Sequence, residues 1–249
     1  MSMSDKIIFS IKRFFEDADR KKAVVGLSGG VDSALCLALL VKALGKDSVT
    51  SISMPEEGLT KDENREHARA FAQSLGVEHI EVPIASIKES FSMPWERNRA
   101  AKINLKPRIR MTILYDYANS KNAIVAGTSN RSEILLGYGT KHGDTASDFL
   151  PIGGLYKTDV WKVAEDIGVP GDIIRKKPTA ELEEGQTDEG DMGIPYKDAD
   201  NILRAMVDEG MPHEKLNTVF RKEDVDKVHR MFEAGRHKRE KPCVIGCSD

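Results

Sequence analysis

Between two apolar runs the chain carries Gly26, Leu27, Ser28, Gly29, Gly30, Val31, Asp32 and Ser33, residue types that together suit the binding of nucleotide phosphate. Gly29 and Gly30 let backbone N–H groups come close to anionic oxygens, and a helix that follows directly adds its positive N-terminal end. Ser28 and Ser33 add hydroxyls. Asp32 has the wrong charge for a bare phosphate, so its presence predicts a divalent cation between the carboxylate and the phosphate oxygens. The glycines alone would read as an ordinary tight turn. A Walker loop needs Lys-Ser/Thr after its last glycine and the dinucleotide fingerprint needs G-x-G-x-x-G; neither spacing occurs.

The elements around this run decide where such chemistry sits. Ile7, Ile8, Ile11, Phe14 and Phe15 fall at helical spacing within residues 5–17. Strands are predicted over 23–27, 49–54, 80–83 and 123–126, and helices over 33–44, 62–75, from residue 128 through Leu136, and over 157–167. The stretch 95–118 reads as helix in two pieces broken at Pro107. Alternating strands and helices imply an α/β, Rossmann-like parallel sheet with helices on both faces, whose chemistry lies at the carboxyl ends of the strands. Ser28 and Thr128 both fall at such ends. Residues 137–146 and 178–192 lack an apolar period and read as loops, of which 137–146 and 181–192 are expected to be mobile without ligand and to close over it. Residues 196–234 read as helical, and 235–249 as a basic, partly irregular tail.

With 249 residues, 40% hydrophobic and 31% charged, the chain suits one globular domain over 1–249. A net charge of -3 gives no support to a nucleic-acid partner. No apolar run approaches the ~18 residues of a membrane span, and residues 1–6 are polar, so the expectation is a cytoplasmic protein with no membrane contact. Three cysteines argue against a disulfide framework. Cys36 reads as a small buried hydrophobe, and the pair Cys243 and Cys247 has too few partners for structural zinc.

Four further stretches follow the glycine-rich run in order: Asn104 to Met111, Gly127 to Glu133, Gly137 to Asp144 and Pro178 to Leu182. With Gly185 to Glu189 and His237 to Arg239 they resemble NAD synthetase, and the first run resembles the SGGxDS loop of the ATP pyrophosphatase superfamily. The resemblance spans residues 5–240. It implies amidation of deamido-NAD (nicotinic acid adenine dinucleotide) to NAD, driven by ATP and magnesium through an adenylated intermediate, with AMP and pyrophosphate released. No covalent nucleophile is implied; Asp32, Glu133 and Lys157 would act by electrostatics and positioning. The same resemblance assigns ATP to residues 26–33 (Gly26, Leu27, Ser28, Gly29, Gly30, Val31, Asp32 and Ser33) with Thr128, Lys157 and Thr179. It assigns magnesium to Asp32 and Glu133, and deamido-NAD to Arg108, Lys141, Asp148, His237 and Lys238. Arg108 and Arg110, two apart on a helix, point to different faces, so one of them is expected to touch substrate.

Some relatives carry an attached glutaminase with a nucleophilic cysteine. About twenty residues precede the first strand and no cysteine suits that role, so free ammonia is the expected donor. The competing enzyme reading is another amidotransferase or ligase on the same scaffold, such as a GMP synthetase-like enzyme, which would lack the stretches 104–111 and 137–144. A sensor that binds ATP without turnover is a second alternative, disfavoured by the presence of Asp32 and Glu133. Apolar helical positions outside the sheet, together with the family's habit, predict a homodimer.

Overall fold

Short runs rich in β-branched and small residues form the first, second and fourth strands close to where the sequence pattern predicts them. In a computed structural model describing residues 1–246, β1 (Lys22–Gly26), β2 (Val49–Ser53), β3 (Glu78–Glu81) and β4 (Ala123–Ala126) make one parallel sheet in the order β3-β2-β1-β4. The register pairs Val24 with Thr50 and with Val125. β3 lies two residues earlier than the apolar run 80–83 suggests, because its pairing to β2 begins at Glu78 and His79, whose ring bonds the hydroxyls of Ser51 and Ser53.

The period of two is visible in what each face buries. Ala23, Val25, Val49, Ile124 and Ala126 face a core made with α1 (Met3–Asp17), α2 (Val31–Leu44), α3 (Asp62–Leu75), α7 (Lys157–Ile167) and α8 (Gly171–Ile174). Val24, Ile52 and Val125 face the other way, toward Ile113, Leu114 and Ala118. Those residues lie on α5 (Arg99–Lys121), which packs with α4 (Ala85–Ser90) through Ile84, Leu105 and Ile109. Helices thus cover both faces, and the fold is of the predicted α/β class.

Three further local expectations are corrected. Pro107 does not break the 95–118 stretch: α5 runs uninterrupted from an Asn98 cap to Asn122, and Trp95 lies ahead of it, exposed. Proline removes one backbone hydrogen bond; the helix tolerates this because Leu105 and Ile109 are buried on one side and Pro107 packs on Gly143 on another. The 178–192 segment is not wholly irregular either. Thr187 caps a short helix, α9 (Asp188–Met192). The α2 helix begins two residues before the predicted start, at Val31, which places Asp32 in its first turn.

The C-terminal third forms a second apolar cluster around Tyr196, Ile202, Leu203 and Val228. It is built from α6 (Arg131–Leu136), α10 (Tyr196–Leu203), α11 (His213–Val219), α12 (Lys222–Ala234) and α13 (Arg236–Arg239), with a π-helical turn at Arg204–Asp208. The stretch 196–234 is therefore broken, first where Gly210 takes a left-handed φ of 65° before Pro212. Among the described residues no helix is long and apolar enough to cross a membrane. Cys36 is buried in α2; Cys247 lies outside the described residues.

Candidate active site

The chain runs β1 to β2 to β3 on one side of β1 and then crosses to place β4 on the other, so the sheet's topological switch point lies between β1 and β4. Ligands of open parallel sheets bind in the crevice at the carboxyl ends of such strands. A cleft of about 740 Å³ opens there. It is lined by Gly26, Leu27, Ser28, Gly30, Val31, Asp32 and Ser33 from the loop after β1, by Thr128 and Glu133 after β4, and by Lys157, Thr179 and Lys238.

The loop is shaped by its own serines. Ser33 Oγ donates to Gly30 O at 3.0 Å, lies 3.1 Å from Ser28 Oγ and accepts the Ser28 N–H. The two hydroxyls expected to face phosphate thus also fold the loop on itself. Ala34 N–H makes a helical bond to Gly30 O at 3.1 Å, so the N–H groups of Val31, Asp32 and Ser33 stand ahead of it at the helix's positive end. Gly29 turns its back on the cleft with φ 81°, and a Cβ there would sit 2.3 Å from Asn64 O.

Four side chains from three separate segments converge beside this loop. Asn130 caps α6: its Oδ1 accepts the Glu133 N–H at 3.0 Å while Glu133 Oε2 accepts the Asn130 N–H at 3.2 Å. Its Nδ2 donates to Asp32 Oδ1 at 2.9 Å. Lys157 Nζ bonds Asp32 Oδ2 and lies 3.6 Å from Glu133 Oε1. Burial pushes the lysine's pKa down; Asp32 and Glu133 outweigh burial and raise the pKa above its ordinary value, holding the ammonium charged. Burial, reinforced by Asp32, pushes the Glu133 carboxyl up to about 8. Asp188, nearly buried, accepts from Tyr138 and Tyr196, each at 3.1 Å, and burial raises its pKa.

Among the described residues no group of three or more His, Cys, Asp or Glu is arranged to hold a metal. Two carboxylates remain, Asp32 and Glu133, and they already converge on one cation, the Lys157 ammonium. That donor set fits magnesium, which binds through one or two carboxylates and completes its octahedron with water and substrate phosphate oxygens.

The residues assigned to the dinucleotide divide. Lys238 reaches the cleft, donating to Gly137 O and Gly139 O, each at 2.7 Å. Arg108 does not line it; its guanidinium meets Lys141 O at 3.3 Å, and Lys141 Nζ donates to His237 O at 2.7 Å, forming a chain along the outside of the loop 137–144. Arg110 is the arginine that lines the cleft, tethered to Met54 O at 3.1 Å. Asp148 holds the Val125 N–H at 2.8 Å and the Tyr115 hydroxyl at 3.1 Å, outside the cleft. The loop 137–146 follows a defined course, with Thr140 bonded to Asp144 and Asn104.

Residues 3–242 match the family model described as NAD synthase. The chain belongs to the NAD synthase family. It is a ligase of the kind that forms a C–N bond, and with this match a GMP synthetase-like identity falls away. The NH(3)-dependent NAD(+) synthetase of Methanosarcina acetivorans is 44% identical over 246 residues, covering 96% of both chains. The NMN synthetase of Francisella tularensis superposes with a TM-score of 0.87 at 31% identity, covering 97% of this chain and 96% of that one. The NH3-dependent NAD synthetase of Campylobacter jejuni, solved with a nitrate ion, gives 0.82 at 31%, covering 98% and 97%.

Asn130, Asp188 and Lys176 enter the site without having been singled out from the sequence as ligand residues, and of the two arginines weighed there it is Arg110 that lines the cleft. Asn130 had a signal, since Asn followed three residues later by Glu is a capping box. Lys176, which bonds Gly29 O at 3.2 Å and Asn64, had none.

Proposed function

We propose that this NAD synthase family member makes NAD from deamido-NAD and free ammonia, consuming ATP with magnesium and releasing AMP and pyrophosphate. The observation that carries the reading is the meeting of Asp32, Glu133 and Lys157 beside an anion-binding helix terminus at the sheet's switch point. The names of the relatives point to the same amidation.

A carboxylate is a poor electrophile and needs a leaving group. An oxygen of the nicotinate carboxylate attacks the α-phosphorus of ATP, and the bond to pyrophosphate breaks. Ammonia then attacks the carboxyl carbon of the adenylate, loses a proton, and AMP departs with the carboxylate oxygen it received. The N–H groups of Val31, Asp32 and Ser33 hold phosphate oxygens, and Lys157 presents a fixed positive charge to the reacting phosphate, so the main contribution is positioning and electrostatics. Magnesium held by Asp32 and Glu133 would supply further neutralisation of phosphate charge. Thr128 and Thr179 line the ATP side. Lys238, Arg110, Arg108 and Lys141 offer cations to the dinucleotide's pyrophosphate and carboxylate, with the His237 carbonyl holding Lys141 in the outer chain. The protein acts as a homodimer, to which Ile87, Phe91 and Trp95, each exposed on α4 or the segment after it, offer apolar surface.

The likeness to the Francisella NMN synthetase makes nicotinic acid mononucleotide the alternative substrate. A panel of both carboxylate substrates and xanthosine monophosphate, each with ATP, magnesium and ammonium, tests the reading. We expect pyrophosphate release and amide product chiefly from deamido-NAD; a preference for the mononucleotide would replace the proposed substrate.

A further inference from the structure

Helix α7 opens with Lys157, yet its cap residue, Tyr156, offers no side-chain acceptor to the first N–H groups. The acceptors come from two other helices. The Lys157 N–H donates to Ser132 Oγ at 2.9 Å, and the Thr158 N–H donates to Asp200 Oδ2 at 2.9 Å. The Ser132 hydroxyl in turn donates to Asp200 Oδ1. Ser132 and Asp200 are both fully buried, so none of these bonds has water as a substitute. Ser132 immediately precedes Glu133 on α6, and Asp200 lies on α10. The same α10 supplies Tyr196, whose ring lies 5.2 Å from Lys157 Nζ.

We propose that Asp200 is a positioning residue for the reaction: its two carboxylate oxygens tie the segment bearing Glu133 to the helix start bearing Lys157, and so fix the spacing of those two groups. The inference rests on the reading of Lys157 and Glu133 as the machinery of adenylation. The geometry demands a carboxylate. An asparagine at this position would have one acceptor where two donors arrive. If its oxygen takes the Thr158 N–H, its amide faces Ser132 Oγ and the serine proton loses its partner; if its oxygen takes the serine proton, the amide faces the Thr158 N–H. Either arrangement leaves a buried donor unpaired and loosens the junction. A negative group is also favoured at this helix start.

Asp200→Asn keeps the side chain's shape, and Ser132→Ala removes a single hydroxyl. The latter carries the test if the former does not fold. For each we would measure circular dichroism, the thermal midpoint, and kcat and KM for pyrophosphate release with ATP, magnesium, deamido-NAD and ammonium. Val228→Ala, a fully buried position on α12 in the same C-terminal cluster, serves as a destabilised control that removes no hydrogen bond from the Ser132–Asp200 junction. We expect a kcat loss on the order of ten- to a hundredfold in both variants, the scale of a small misplacement of reacting groups, with KM for deamido-NAD within about twofold of wild type. The double variant should be no slower than the slower single, because both cut one junction. Val228→Ala should keep its kcat despite a lowered midpoint. Wild-type kcat in Asp200→Asn or Ser132→Ala, an equal kcat loss in Val228→Ala, or multiplying losses in the double variant would overturn the proposal. A wild-type protein that releases no pyrophosphate would overturn the underlying functional reading instead.

Discussion

Asn130 is the residue at which fold and chemistry meet most tightly, because one amide serves both. Its Oδ1 caps α6 through Glu133 N–H, and its Nδ2 reaches Asp32. Asn130→Ala removes the cap, worth about 1 kcal/mol, and a hydrogen bond to a charged partner, worth about 1.5–3 kcal/mol, for a total on the order of 3 kcal/mol. Asn130→Asp keeps an equally good cap. It loses only the donation, but sets a second carboxylate against Asp32, where a like-charge pair about 4 Å apart costs up to about 4 kcal/mol near a protein surface. Asn130→Ser also keeps a cap and adds no charge. The expected order of destabilisation is therefore Asp at least equal to Ala, and both above Ser. Urea unfolding at pH 8 without divalent cation or nucleotide reads the stability, and pyrophosphate release reads the site. If Asn130→Asp unfolds within about 0.5 kcal/mol of wild type, the amide is only a cap and its bond to Asp32 carries no weight in the free protein.

Three further outcomes follow from the geometry. Gly29→Ala puts a side chain on a residue at φ 81° with its Cβ 2.3 Å from the backbone oxygen of Asn64, so ATP affinity measured by calorimetry should fall more than roughly tenfold while circular dichroism stays native; unchanged affinity would mean the loop does not hold phosphate in this conformation. The Glu133 carboxyl, raised from its ordinary 4.5 to about 8, stabilises the metal-free fold fully below pH 4.5 and loses that contribution as pH rises through about 8; thermal melts in chelator should show a smaller decline in Glu133→Gln than in wild type, the raised Asp188 still contributing in both. Light scattering should give twice the chain mass of 27.6 kDa, and Trp95→Asp should lower it; a wild-type monomer at assay concentration would remove the homodimer.

The strand-loop-helix around Asp32 was legible because a short apolar run, a turn of small residues holding an aspartate and a longer apolar run follow one another directly, and the parallel α/β class followed from the alternation of elements. Local pattern carries such information. Pro107 misled because a proline's lost hydrogen bond is a local cost, whereas the burial of Leu105, Pro107 and Ile109 that offsets it depends on α4 and the loop at Gly143. The caps on α7 were invisible for the same reason: Ser132 and Asp200 are 68 positions apart. Helix phase separates Arg108 from Arg110, and the sequence foresaw that they diverge. Which of them faces the cleft depends on how α5 lies against Met54, a contact between elements.

The central claim is that this cleft activates a nicotinate carboxylate on the α-phosphate of ATP. Deamido-NAD labelled with oxygen-18 in that carboxylate, turned over with unlabelled ATP, magnesium and ammonium, tests it directly. The account predicts one labelled oxygen in the phosphate of AMP, unlabelled pyrophosphate, and one NAD formed for each AMP. Label appearing in inorganic phosphate alongside ADP, or AMP formed without label, would contradict it.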